Sequence, residues 1–274
     1  MFVANSQVFC KIFGVEIYNY GVILAIAVMC GFYVAEKIST KFFKLSKDTM
    51  YDMAPFVIIL GIIFARLYYC ILNYPFYLRF PTEIFAIRHG GISIHGAILG
   101  GLIGLLIYSK FNKISFWKLA DVSSVGLALG QSIGRWGNFF NSEAFGLPTN
   151  LPWKLFIASE YRPVQFANYE YFHPTFLYES ILDLGIFFVL LFFVHKRVFK
   201  IDGNLALTYL IMYSLARIFV ESIRVDSVAY IYNIPIAIHI SLGIIILSTI
   251  LFLCRNIRLG KRLWKQFYFM AHKI

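Results

Sequence analysis

The chain has 274 residues, of which 59% are hydrophobic and only 14% carry a charge, and its mean hydropathy is +0.71. A soluble domain keeps roughly a quarter of its residues charged, so these values exclude an ordinary soluble protein. The net charge of +11 does not indicate a nucleic-acid-binding protein, because the lysines and arginines lie in short segments between apolar runs. The composition predicts one all-α integral membrane domain over residues 1–274, with no nucleic acid partner.

The cysteines and the N-terminus exclude further classes. The four cysteines (Cys10, Cys30, Cys70 and Cys254) form no C-x-x-C pair, so neither a disulfide framework nor a zinc site is implied. No metal or organic cofactor is indicated. The N-terminal segment lacks a charged region and a small-residue cleavage site before its first apolar run, so we expect that run to be a retained span.

Seven apolar runs are long enough to cross a hydrocarbon core of roughly 30 Å as helices. The fourth is the weakest, because Ser124, Gln131 and Arg135 interrupt it. The predicted transmembrane helices lie at 17–36, 53–72, 91–109, 119–137, 174–194, 204–221 and 233–254.

The connecting segments predict the orientation, because cytoplasmic loops carry an excess of lysine and arginine. Alternate segments hold 16 such residues on one side and 6 on the other. This asymmetry places the N-terminus outside and the C-terminus in the cytoplasm. The longest outer segment, 138–173, is rich in proline and aromatic residues, which is typical of an arm lying at the membrane interface.

Polar and ionisable side chains recur in the outer halves of the predicted helices, where a bilayer disfavours them. Their convergence from six helices predicts one polar chamber open to the outer leaflet. A structural alternative stays open, in which ion pairs hold the bundle together, arginines reach to the headgroups and the histidine only satisfies a hydrogen bond. These residues are Tyr20, Arg66, His95, Arg135, His173, Glu179, Asp183, Arg217 and Glu221.

Two helical faces carry polar residues at the spacing i, i+4 and i+7, so their side chains are neighbours. On one face a glutamate can pair with either of two arginines. On the other an arginine lies among amides. The two faces are formed by Arg217, Glu221 and Arg224 and by Gln131, Arg135 and Asn138.

These residue types suit phosphate chemistry at a membrane. Guanidinium groups bind phosphate oxygens in a bidentate manner, and a histidine serves as a general base near neutral pH. The sequence has no G-x-S-x-G motif and no cysteine among these residues, so a covalent enzyme nucleophile finds no support. We expect direct transfer, in which a base activates an acceptor while arginines stabilise a departing phosphate. A transporter with a central anion site is the natural alternative.

Several motifs in the sequence resemble those of a known family. Residues 134–146 match the pattern G-R-x-G-N-F-x-N-x-E-x-x-G without a mismatch. Residues 91–96 contain a glycine-flanked histidine, 173–179 match H-P-S/T-x-L-Y-E, and 217–224 form a late arginine segment. Together with Tyr20-Gly21, these segments make the sequence similar to the prolipoprotein diacylglyceryl transferases over about residues 10–255.

The resemblance implies a specific reaction in a bacterial inner membrane. The diacylglyceryl group of phosphatidylglycerol moves to the lipobox cysteine thiol of a prolipoprotein signal peptide, forming a thioether and releasing glycerol phosphate. The thiolate is the nucleophile, and a free thiol has a pKa of about 8.5, so its deprotonation needs assistance. The implied partners are phosphatidylglycerol, the signal peptide and the bilayer itself.

The resemblance also implies residue roles. Arg135 binds the phosphate, Arg217 holds or releases it, and His95 is the candidate base; whether His95 takes the proton, or the arginines lower the thiol pKa, is left open. Glu221 orients Arg217. The remaining implied site residues are Tyr20, Asn138, Asn141, Glu143, Gly146, His173 and Tyr178.

Three positions depart from the family pattern without touching the arginines or the histidine. Ala97 stands where many members have a second glycine, Phe176 replaces a glutamine, and Asn19 replaces an aromatic or basic residue. Besides the transporter, a non-catalytic assembly factor that docks partners on the 138–173 arm stays an alternative, and it would make His95 dispensable. A transporter would show repeated halves and broken helices near the midplane, and no repeat is visible.

Overall fold

The computed structural model describes residues 1–3, 7–86, 90–226 and 230–271, with side chains as far as residue 257. The described chain is mostly helical. Its α-helices are α1 (Asn19–Lys41), α2 (Lys47–Leu72), α3 (Tyr74–Arg79), α4 (Ile94–Phe111), α5 (Phe116–Phe140), α6 (Thr175–His195), α7 (Asn204–Glu221) and α8 (Ile236–Ala271).

Five of the described helices are long and apolar enough to cross a membrane, namely α1, α2, α4, α6 and residues Ile236–Ile257 of α8. The protein is therefore a multi-pass membrane protein. Each predicted span corresponds to one long helix, but α5 and α7 are not among these five, since both carry the polar residues noted above. The count of seven spans and the orientation stay predictions.

Three short antiparallel sheets interrupt the otherwise helical chain. They pair β1 (Val8–Ile12) with β2 (Val15–Tyr18), β3 (Leu155–Phe156) with β4 (Tyr171–Phe172), and β5 (Tyr230–Ile231) with β6 (Ile234–Pro235). The predicted starts of the first and last spans, at 17 and 233, are therefore too early. The residues before α1 and α8 belong to hairpins.

The chain folds as two compact units. Unit 1 contains Met1–Val34 and Ser123–Ile274, and unit 2 contains Ala35–Val122. The single domain expected from the sequence stays a prediction.

Unit 2 is built on close packing of α2 against α4. Gly96, Gly100 and Gly104 recur every four residues and so form one face of α4. A Cβ at Gly100 would lie 2.5 Å from the Leu60 carbonyl oxygen and 2.6 Å from Phe64 Cβ. Small residues at this spacing let two helix backbones approach inside a membrane, where dispersion contacts replace the hydrophobic drive. This face aligns the start of α4, and with it His95, against α2.

In unit 1, small and hydroxylated residues likewise allow helices to pack closely. Gly31 of α1 lies against the backbone of Gly126 in α5, so that an added Cβ would be 2.6 Å from the Gly126 carbonyl oxygen. Ser132 of α5 and Ser180 of α6 each donate their hydroxyl to the other's carbonyl, at 2.8 and 2.7 Å. These bonds hold α5 beside α6, which carry Arg135 and Glu179.

The segment 138–173 is folded around a small core that it shares with the start of α6. Ala144, Phe145, Leu155, Ile157, Phe172 and Phe176 are buried together. Phe2 extends the β3–β4 sheet, because its amide donates to Lys154 O and its carbonyl accepts from Phe156 N, both at 2.9 Å. The position of this arm at the membrane interface stays a prediction.

Candidate active site

Glu179 of α6 lies at the centre of a charged cluster in unit 1. Its carboxylate is 1% exposed and contacts two guanidiniums. Arg135 of α5 reaches Oε1 through Nη2 at 2.5 Å, and Arg217 of α7 donates from Nη1 to Oε1 and Oε2 at 3.1 and 3.3 Å. Three helices are thus joined by one carboxylate. A charge buried this deeply is tolerated only when it is paired in this way.

Two further carboxylates complete the cluster. Glu221, one turn after Arg217 on α7, forms an ion pair with Arg217 Nη2 at 2.7 Å. Asp183, one turn after Glu179 on α6, has its Oδ2 3.8 Å from Arg135 Nε, and neither of its oxygens accepts a hydrogen bond within the described residues. The sequence allowed Glu221 to pair with Arg217 or Arg224; in the structure it lies on Arg217, as the orienting role requires.

Two tyrosines of α7 extend the cluster. Tyr213 accepts a hydrogen bond from Arg135 Nη2 at 3.3 Å, and Tyr209 donates to Gln131 Oε1 at 2.6 Å. The two rings are stacked, with centroids 6.0 Å apart. Tyr209, Tyr213, Arg217 and Glu221 therefore form one face of α7 at i+4 spacing. Sequence analysis found only the last two, although the same spacing was the signal that would have found the tyrosines.

The arginines keep donors for a ligand. Arg135 Nη2 is used by Glu179 and Tyr213, whereas Nη1 makes no hydrogen bond within the described residues. Arg217 uses Nη1 and Nη2 but not Nε in that part of the chain. Since a guanidinium carries five N–H groups in a planar fork, both side chains can bind an oxyanion without leaving Glu179.

The last turn of α5 and the loop after it hold the amides of the signature motif. Asn138 and Asn141 both donate from Nδ2 to Glu143 Oε1, at 2.8 and 3.3 Å. The Tyr20 ring packs on Gly137, where an added Cβ would lie 2.7 Å from Tyr20 Cδ2. The motif's polar residues therefore hold one another in position.

Gly146 ends this loop at a close backbone approach. Its amide donates to the His173 carbonyl at 2.8 Å, and a Cβ there would lie 2.8 Å from Thr175 Cγ2 and 2.9 Å from the Ile223 carbonyl oxygen. Only a glycine fits between these two segments.

Asp226, which sequence analysis did not single out, holds the same loop from the end of α7. Its Oδ2 accepts from the Ala144 amide at 2.7 Å, and Arg224 donates to both of its oxygens at 2.9 and 3.1 Å. Burial lowers the pKa of Arg224, but the hydrogen bond and charge of Asp226 outweigh it and the net pKa is raised. Ala144 has φ +57°, a left-handed conformation that a non-glycine residue adopts only where its surroundings hold it. No motif spacing marks Asp226, because the contact depends on the tertiary fold.

His173 and Tyr178 form a separate pair at the edge of the arm. The tyrosine hydroxyl lies 3.0 Å from His173 Nδ1 and accepts from Trp153 Nε1 at the same distance. Burial lowers the pKa of His173, because removal from solvent disfavours the charged imidazolium. Neither side chain contacts the Glu179 cluster through an ion pair or hydrogen bond within the described residues.

An apolar groove of about 450 Å³ opens along unit 1, next to the charged cluster. Its wall includes Ile23 of α1, Trp136 of α5 and Leu177 of α6, and its polar lining comes from Ser132 and Ser180. Trp136 follows Arg135 in sequence, so the groove and the cluster lie on adjoining faces of α5. An apolar chain with a charged end matches this arrangement.

Arg66 and His95 belong to unit 2. The buried Arg66 guanidinium donates to five backbone carbonyls, namely those of Glu83, Ile84 (2.9 Å), Ala86 (3.3 Å), Gly90 (2.5 Å) and Gly91 (2.7 Å). All three of its nitrogens are thereby used, which favours the structural alternative at this position. His95 is exposed at the start of α4, with its ring 6.2 Å from that of Tyr68.

The structure thus brings Arg135, Arg217 and Glu221 together and adds Glu179, Asp183 and Tyr213. It places Tyr20, Asn138, Asn141, Glu143 and Gly146 in or against the adjoining loop. It assigns Arg66 to a network of backbone carbonyls in its own unit.

Comparison with known proteins gives one family. The family model described as prolipoprotein diacylglyceryl transferase matches residues 7–254. Among curated relatives, the phosphatidylglycerol–prolipoprotein diacylglyceryl transferase of Synechocystis sp. is 42% identical over 252 residues, which is 90% of this chain and 88% of the relative. The protein of the same name from Trichormus variabilis is 46% identical over 232 residues, covering 83% and 82% of the two chains. This chain is a membrane-embedded transferase of lipoprotein biosynthesis and belongs to the prolipoprotein diacylglyceryl transferase family.

Proposed function

We propose that this enzyme transfers the diacylglyceryl group of phosphatidylglycerol to the lipobox cysteine thiol of prolipoproteins, producing a thioether and glycerol phosphate. The observation that carries the proposal is the pair of arginines held side by side by Glu179 with donors left over. The names of the relatives supply the two substrates.

The geometry suits a displacement with a phosphate leaving group. The cysteine sulfur attacks the glyceryl carbon that carries the phosphate ester, the S–C bond forms, and the C–O bond breaks with its electron pair going to the phosphate. Arg135 and Arg217 stabilise the charge that develops on the departing oxygen. Because their positions are set by Glu179, Glu221 and Tyr213, little reorganisation is needed when the reaction occurs.

The thiol proton needs an acceptor, and His95 is the candidate. Its exposure at the N-terminal end of α4 leaves the ring accessible to a substrate. An imidazole accepts a proton readily near neutral pH. We propose that His95 removes the thiol proton, while the arginines favour the thiolate electrostatically.

The remaining residues shape the substrate site. The apolar groove beside Trp136 accommodates hydrocarbon from the lipid donor. Tyr20, Asn138, Asn141, Glu143 and Gly146 shape the substrate site, and His173 and Tyr178 are further substrate-binding residues.

We also propose that the protein lies in a bacterial inner membrane with this site towards the outer leaflet. The support is the excess of lysine and arginine in alternate segments, which places the N-terminus outside.

The deciding experiment combines purified protein, phosphatidylglycerol vesicles and a lipobox peptide, with mass spectrometry of the peptide. We expect a thioether-linked diacylglyceryl product, and a loss of about 10²–10³-fold in rate for Arg135→Ala, because one donor to a developing oxyanion contributes about that much. Arg162→Ala is the control, since Arg162 caps the carbonyls of Ile157 and Ala167 outside the cluster. Absence of product with the wild-type enzyme, or full activity of Arg135→Ala, contradicts the proposal.

His95→Asn separates the two ways of activating the thiol. If His95 takes the proton, the variant loses about 10²–10⁴-fold in rate at neutral pH and recovers part of it as the pH approaches that of free thiol ionisation. If the arginines alone favour the thiolate, His95→Asn retains most of its activity at all pH values.

A further inference from the structure

Two hairpins of unit 1 share an unusual tip. In each, a two-residue loop joins paired β-branched residues: Ile12 pairs with Val15 around Phe13-Gly14, and Ile231 pairs with Ile234 around Tyr232-Asn233. Both loop residues have positive φ in each hairpin, +50° and +81° in the first and +49° and +62° in the second. This is the pattern of a type I′ turn.

The first loop position of such a turn favours asparagine or glycine, not an aromatic residue. A bulky side chain in the left-handed region is a conformational outlier that local sequence preference does not explain. Strained positions of this kind persist where they are compensated by some other interaction. Phe13 and Tyr232 therefore indicate a contact at both tips.

The tips are also unusually exposed. Phe13 is 102% and Tyr232 93% exposed, and the four flanking residues Ile12, Val15, Ile231 and Ile234 are each more than 40% exposed. An aromatic ring surrounded by exposed aliphatic side chains is a surface that water does not favour. The tip of each hairpin is thus a small exposed apolar surface with an aromatic side chain at its end.

Each hairpin leads straight into a membrane-crossing helix. β2 ends at Tyr18 and α1 begins at Asn19, whose amide donates to Gln7 O at 2.9 Å; β6 ends at Pro235 and α8 begins at Ile236. At about 3.3 Å per residue, the tips lie within about 20 Å and 13 Å of the helix starts. Both are therefore tethered close to the point where the chain enters the hydrocarbon core.

We propose that the two hairpin tips are lipid anchors, with Phe13 and Tyr232 inserted in the bilayer interface at the N-terminal ends of α1 and α8. Aromatic rings are enriched at this level of a membrane, and the lipid supplies the apolar contact that the protein does not. The proposal does not depend on the reaction or on which leaflet is involved.

Photocrosslinking identifies what lies at the tips. p-Benzoylphenylalanine is placed at position 13 or 232 of the full chain in nanodiscs of phosphatidylethanolamine and phosphatidylglycerol, irradiated with and without a lipobox peptide, and digested for mass spectrometry. We expect lipid adducts at both positions and at least tenfold fewer with the same probe in place of Asp48, an exposed acidic residue at the start of α2. Crosslinks chiefly to a second copy or to the peptide, or no lipid adduct, overturn the proposal.

Asparagine at the tips tests the proposal in a second way and preserves the turns. Relief of strain and loss of a lipid anchor are expected to have opposite effects on the hairpins. Asparagine suits a left-handed turn position, so Phe13→Asn and Tyr232→Asn relieve local strain. If the rings are anchored in lipid, hydrogen exchange of the hairpin amides in nanodiscs becomes at least threefold faster, because the anchor is lost. Unchanged or slower exchange shows that the rings have no lipid contact and overturns the proposal.

Discussion

Arg135 in unit 1 and Arg66 in unit 2 are both largely removed from solvent, yet their guanidiniums are satisfied differently. Arg135 contacts the carboxylate of Glu179, the hydroxyl of Tyr213 and, at longer range, Asp183, and it retains unused donors. Arg66 uses all three nitrogens of its guanidinium to donate to five backbone carbonyls. The same residue type therefore serves as a ligand-ready cation in one unit and as a structural brace in the other.

The difference lies in charge balance as well as in hydrogen bonding. In the unit 1 cluster, three carboxylates hold two guanidiniums and so set the orientation of the donors that these guanidiniums retain. Carbonyl dipoles around Arg66 satisfy its N–H groups without any opposing formal charge among these contacts. A phosphate would gain access to Arg66 only by displacing the loop that it holds.

The largest effect is expected where one change removes two ion pairs of the cluster. Glu179→Gln leaves Arg135 and Arg217 without their shared charge, and breaking a buried ion pair costs about 3–5 kcal/mol. We expect a loss of that order in the free energy of unfolding in nanodiscs, with transfer activity abolished. Glu160→Gln, at an exposed site, is the matched control and stays within about 0.5 kcal/mol of wild type. A stable and active Glu179→Gln protein would show that the carboxylate does not organise the arginines.

Replacing Arg66 tests the other side of the comparison. Arg66→Met leaves five carbonyls without their donor, and each buried unsatisfied group costs about 1–3 kcal/mol, so we expect a loss of more than about 2 kcal/mol. Arg66→Lys keeps the charge and three donors but not the planar fork, and we expect an intermediate loss. The KM for phosphatidylglycerol should change little in the protein that remains folded. A large increase in the KM for phosphatidylglycerol would instead place Arg66 on the phosphate.

Gly100 tests whether unit 2 depends on backbone packing as well as on Arg66. Gly100→Ala puts a methyl group against Leu60 and Phe64, and overpacking of this kind costs about 1–3 kcal/mol. Gly101→Ala is a control one residue away, where the nearest atom is Val57 Cγ1 at 3.9 Å. Thermal unfolding of the two variants side by side should separate them clearly. Equal melting temperatures would mean that α2 and α4 separate at little cost.

Asp226→Asn addresses a third arginine, Arg224, whose carboxylate partner lies outside the cluster. Asparagine keeps one oxygen for the Ala144 amide but removes the charge opposite Arg224, so we expect a loss of about 1 kcal/mol. The effect should shrink as salt is added, unlike that of Glu179→Gln, because screening acts mainly on accessible charges. If the destabilisation did not change with salt, Asp226 would behave like the buried carboxylate of Glu179.

Much of the helical architecture follows from the sequence because long apolar runs have few other solutions in a bilayer. All seven predicted spans correspond to long helices, although α5 and α7 fall outside the five that are apolar enough to cross a membrane. The hairpins before α1 and α8 were missed, since a β-branched, aromatic-rich segment next to an apolar helix reads as part of that helix.

For the site, helical spacing identified Arg135, Asn138, Arg217 and Glu221, and the motif added Asn141 and Glu143. Neither the spacing nor the motif revealed that Glu179 joins both arginines, because this contact connects three helices that are distant in sequence. Asp226 was missed for the same reason. Tyr209, Tyr213 and Arg217 follow one another at four-residue spacing, a pattern in the sequence from which both tyrosines could have been predicted.

Residue types and spacing by themselves determined that this chain is a membrane protein, which family it resembles and which arginines are candidates for phosphate binding. Those properties depend on local composition and on one-dimensional patterns. Only the tertiary structure decided which arginine has donors to spare, since that depends on the atoms that surround each guanidinium. Arg66 and Arg135 look alike along the chain, and their neighbours in space give them different roles.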